Sequence, residues 1–87
     1  MVGTTDAEIP EKIKAKHGII DYKGIGSHFD GERGNIREYI VLRERQDSNH
    51  NYFTHFMIWP ERGRISFNWG NYFEDLDDAK RDFDERR

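Results

Sequence analysis

The chain has 87 residues, 34% hydrophobic and 36% charged, with a net charge of −3 at pH 7. That balance suits one small domain and excludes a large buried core. The lack of cysteine excludes a disulfide framework, a thiolate nucleophile and a cysteine-held zinc, and no apolar run approaches the ~18 residues of a membrane span.

The charge is unevenly spread. Residues 1–73 are neutral overall, and the whole acidic excess lies in residues 74–87. Nonspecific nucleic-acid binding draws on a basic patch, and the nearest approach to a basic run is Lys12, Lys14 and Lys16. Residues 1–9 read as a flexible N-terminal segment and 10–87 as a single domain. The opening Met-Val-Gly-Thr-Thr-Asp lacks the charged and apolar regions of a signal peptide, so a cytoplasmic protein is expected.

Pro10 to His17 predicts a short helix, with Pro10 at its first position and Gly18 as the stop. Ile19 to Lys23 predicts a strand. Gly24 to Asn35 holds four glycines and reads as a loop. Its Gly24-Ile25-Gly26 has no following Gly-Lys-Ser/Thr and no clear helix start, so it does not read as a phosphate cradle. Glu38 to Arg45 fits a helix or a strand. The β-branched pair Ile40-Val41 and the alternation through Arg45 favour a strand.

Asn51 to Trp59 and Arg64 to Trp69 read as two strands of an aromatic hairpin. A four-residue loop, Pro60 to Gly63, would pair Trp59 with Arg64, Ile58 with Ile65, Phe56 with Phe67 and Thr54 with Trp69. Those partners, with Tyr52, would form the buried face. The other face would then carry Phe53, His55, Met57 and Trp59 beside Arg64, Ser66 and Asn68, half apolar and half polar.

Asp75 to Arg86 predicts a helix with Asp75 as N-cap and a narrow apolar stripe of Leu76, Ala79 and Phe83. Asp75, Asp78, Asp82 and Glu85 would form a solvated stripe opposite, with Asp77–Arg81 and Asp82–Arg86 pairs. The expected fold is therefore α+β. A small antiparallel meander of three to four strands carries a C-terminal amphipathic helix on one face and a short N-terminal helix.

Chemistry finds little purchase. His50 and His55 are five residues apart, which suits neither a helical zinc pair nor a same-face strand pair. Asp47 to Asn51 reads as a turn of ordinary turn formers, and His28 with Asp30 as a surface loop. His28, Asp30, His50 and His55 are the pool an enzyme would draw on, but no catalytic constellation is visible. The expectation is no catalytic residue, no metal and no cofactor.

The function expected is a non-enzymatic protein-interaction module, with a protein partner or a second copy of the chain. Its binding residues would be Phe53, His55, Met57, Trp59 and Arg64. Two alternatives use other partners. Single-stranded nucleic acid could stack on the same aromatic face, though the acidic balance disfavours it. The acidic helix could act as a decoy for a DNA-binding protein. No membrane association is expected.

Overall fold

The structure, a computed structural model, describes residues 9–45 and 51–86. It is an α+β fold in the order α1 (Glu11–His17), β1 (Ile19–Asp30), β2 (Gly34–Glu44), β3 (Tyr52–Pro60), β4 (Ser66–Phe73), α2 (Leu76–Glu85). The strands form one antiparallel meander, β1-β2-β3-β4. No helix among the described residues is long and apolar enough to cross a membrane.

α1 starts after Pro10 and stops at Gly18, which adopts the left-handed conformation at φ 65°. A Cβ there would also strike the Glu44 carbonyl, so glycine is required twice over. Ile9 is not part of a loose tail. It is buried against Ile19, Tyr39, Val41 and Met57.

The glycine-rich stretch corrects the expectation of a loop. β1 runs through it to Asp30, and the chain turns only at Gly31 to Arg33. Bulges at Ile20 and Ile25 take up the irregularity, as extra strand residues do. Asp30 closes the turn by accepting from the backbone N–H groups of Glu32 and Arg33 at 2.8 and 3.1 Å, a common role for Asp.

The β3–β4 register is a second correction. Met57 lies opposite Phe67 and Ile58 opposite Ser66, one residue away from the expected pairing. The cause is β2. Its pairing with β3 continues through Ile36 and Pro60. Glu61 then donates its N–H to the Asn35 carbonyl, and its side chain accepts from the Asn35 N–H. Pro60 therefore ends a strand instead of opening a turn, and the turn slides toward β4. A one-residue slip exchanges faces, so Phe67 moves to the side of Met57.

Two cores result, one per face. Ile9, Ile19, Tyr39, Val41 and Met57 fill the α1 face, with Ile13, Tyr22, Trp59, Ile65 and Phe67 packed around them. Ile40, Leu42, Ala79 and Phe83 fill the α2 face, with Tyr52, Phe56, Phe73 and Leu76 beside them. Asp75 caps α2 by accepting from the Asp77 N–H at 3.1 Å.

Candidate functional site

The expected surface belongs to the α1 face, which the meander lines with Arg37, Tyr39, Val41 and Arg43 of β2 and Phe53, His55, Met57 and Trp59 of β3. Met57 is fully buried and cannot itself meet a partner. Trp59 is half-buried beneath the Arg37 guanidinium, 4.2 Å from the ring centroid. Arg64 is exposed, ahead of the first residue of β4. Phe53 and His55 are half-buried neighbours at 6.0 Å.

Two residues that the sequence reading missed join this face, Phe67 through the slipped register and Tyr72 because β4 continues past Trp69 through a bulge. Phe67 sits 5.7 Å from His55 and 5.2 Å from His17, with the Arg43 guanidinium 3.9 Å from its centroid. Tyr72 meets Phe53 edge-on at 5.3 Å and remains 54% exposed. The alternation of Phe67 with Ser66 and Asn68 was legible. Only the loop length decided which face it would join.

Arg43 also donates from Nε to the His17 carbonyl at 2.9 Å. It thereby satisfies the last turn of α1. The two histidines beside it are held below their ordinary value of 6.5. Burial is the main cause for each, followed by the Arg43 charge, then Lys16 for His17 and Arg86 for His55. His55 lies tight against the backbone of Gly70, where any Cβ would collide with the imidazole. Its Nδ1 is buried without a hydrogen-bond partner among the described residues.

β4 bulges opposite His55. Thr54 pairs with Asn71 and Phe56 with Asn68, leaving Trp69 and Gly70 against one β3 residue. Trp69 takes a positive φ of 52°. Its ring stacks on Phe56 at 5.2 Å, on the α2 side of the sheet, and is 76% exposed. Exposed aromatics thus flank β4 on both sides.

The α2 face is closed differently. Asp82 turns toward the sheet and is half-buried. It accepts from the buried Thr54 hydroxyl at 2.5 Å, from Asn71 Nδ2 at 3.3 Å and from Arg86 Nε at 3.1 Å. Burial works against its ionisation, but the Thr54 and Asn71 hydrogen bonds and the Arg86 charge hold the carboxyl below its ordinary value. The expected solvated stripe is therefore broken in its middle. Arg81 pairs with Asp78 at 3.7 Å, one turn position from the Asp77 expected. Lys23 reaches from β1 and donates to the Phe83 carbonyl at 2.7 Å. Beside it lies an open groove of about 470 Å³ lined by Lys23, Ile25, Asp84 and Arg86.

Among the described residues the histidine pool does not assemble. His28 pairs across from Ile36 on the α2 face, 3.5 Å from Glu38, while His55 lies opposite Val41 on the α1 face. His50 and the Asp47 turn lie outside the described residues. Among the described residues no three His, Asp or Glu side chains form a metal-sized cluster. Comparison with protein-family models, curated proteins and solved structures finds no match.

Proposed function

We propose that the protein is a non-catalytic interaction module. It would bind a protein partner through the aromatic margin of the α1 face, Phe53, His55, Phe67 and Tyr72, continuing over β4 to Trp69. The observation that carries this reading is the exposure of Trp69 and Tyr72 on an edge strand, at 76% and 54%. Both are rigid aromatics of the kind that anchor interfaces. They lie on opposite faces of β4, Trp69 on Phe56 and Tyr72 on Phe53, so a partner that touches both must straddle that edge.

Nucleic-acid stacking has less support. Arg37 already lies over Trp59, and Arg43 over Phe67, so the chain's own cations occupy faces that bases would need. The decoy reading loses Asp82 to the Thr54 network.

Site-specific photo-crosslinking tests the module. A photoreactive side chain at position 72 should trap protein in cells, while one at Lys80, exposed on α2, should trap none. No adduct at position 72, or equal adducts at both, would contradict the reading.

A further inference from the structure

We propose that β4 is a self-pairing edge. It would join antiparallel to β4 of a second copy, with the two-fold axis between Trp69 and Gly70. This rests on the interaction reading above and names its partner.

The two sheet edges differ in how they are guarded. β1 carries Asp21, Lys23 and Asp30 and two bulges, devices that keep an edge from pairing. β4, Ser66–Phe73, has no charged residue in a chain that is 36% charged. Its one irregularity is the bulge at Trp69 and Gly70. Such a bulge mismatches an arbitrary incoming strand. It does not mismatch its own copy, because a dyad at that point sets bulge against bulge.

In that register Asn68 lies opposite Asn71 of the second copy, Phe67 opposite Tyr72, and Ser66 opposite Phe73. Each pair joins residues of one face. Phe67 and Tyr72 belong to the α1 face, since they oppose Met57 and Phe53. Asn68, Asn71, Ser66 and Phe73 belong to the α2 face, since they oppose Phe56, Thr54, Ile58 and Tyr52. A slip of one residue would set the aromatics against asparagines. Trp69 would lie beside Gly70 of the second copy, which offers no side chain to obstruct the indole.

Charge fits as well. Arg64 precedes β4, and Glu74 and Asp75 follow it. Antiparallel pairing brings Arg64 of each copy beside Asp75 of the other, whereas parallel pairing would set like beside like. The contact is isologous and closes on itself as a dimer.

Sedimentation equilibrium on the full chain, from about 10 µM to 1 mM, reads the mass by mass action. The wild type should move from monomer to dimer. Trp69→Lys places two ammonium groups at the dyad and should weaken association at least about 100-fold. Arg64→Glu and Asp75→Arg should each weaken it about tenfold, and the double variant should restore it. Circular dichroism melts check that each variant folds. A wild type that stays monomeric throughout, a dimer that survives Trp69→Lys, or a double variant no tighter than either single would overturn the proposal. Such a monomer would leave the broader module reading to the crosslinking result at position 72, which can still report a different protein.

Discussion

The two faces of the sheet use one device and reach different ends. On each, a cation from the sheet satisfies the last turn of the covering helix while lying over an aromatic ring. Arg43 does so for α1 above Phe67, and Lys23 for α2 above Phe83. The α2 side adds a half-buried carboxylate, Asp82, that ties helix to β3 and β4. α1 is shorter, seven residues against ten, and leaves Phe53, His55 and Tyr72 at the β4 margin partly uncovered. The lesson is that a short helix can seal the middle of a sheet and leave its edge for other contacts.

The largest expected effect separates the two cores from that margin. Phe83→Ala should cost about 3–5 kcal/mol and Met57→Ala about 2–5 kcal/mol. Both are buried, and these losses are large against the about 5–15 kcal/mol that holds a domain folded. Urea unfolding reads both. A Met57 variant as stable as wild type would break the account of the α1 face as a packed core.

Next comes the carboxylate. Asp82→Ala should cost about 1–3 kcal/mol, because the buried Thr54 hydroxyl loses its acceptor. Asp82 also sets an acid limit. Its folded pKa lies below the unfolded value near 3.8, so the unfolded state binds the proton more readily. Stability from this group is complete above that value and lost as pH falls from it through the folded pKa. Asp82→Asn should remove that part of the acid transition.

The α1 face should respond nearer neutrality. His17 and His55 are held below 6.5, and again the unfolded state takes the proton first. Stability should therefore fall as pH drops below 6.5 toward their folded values. His55→Gln should flatten the urea midpoint across that window while leaving the lower, Asp82-linked loss in place. A profile unchanged by His55→Gln would remove His55 from the comparison, and one unchanged by the double variant with His17→Gln would remove the pair.

The smallest effect on stability belongs to the margin. Trp69→Ala removes a stacked pair with Phe56 and should cost about 0.5–1.5 kcal/mol, despite the size of the side chain.

Much of this was readable from local chemistry. The caps at Gly18 and Asp75, the Leu76, Ala79 and Phe83 stripe and the β-branched Ile40-Val41 each announce their element. What was hidden depended on distant partners. The glycine-rich stretch became β1 because β2 offers a continuous ladder that bulges can follow. Pro60 looked like a turn corner, but Asn35, far away in sequence, anchors Glu61 and extends β3. That single displacement moved Phe67 onto the candidate surface. Asp82 looked like one more helix acid, since nothing local signals that Thr54 waits beneath it.

The most direct test of the contrast between a guarded β1 edge and a self-pairing β4 edge is amide hydrogen exchange followed against protein concentration. The account predicts that amides of Ser66–Phe73 gain protection as concentration rises, while those of β1, the guarded edge, do not change. Protection that rises at β1 instead, or stays constant at β4 across the range, would contradict it.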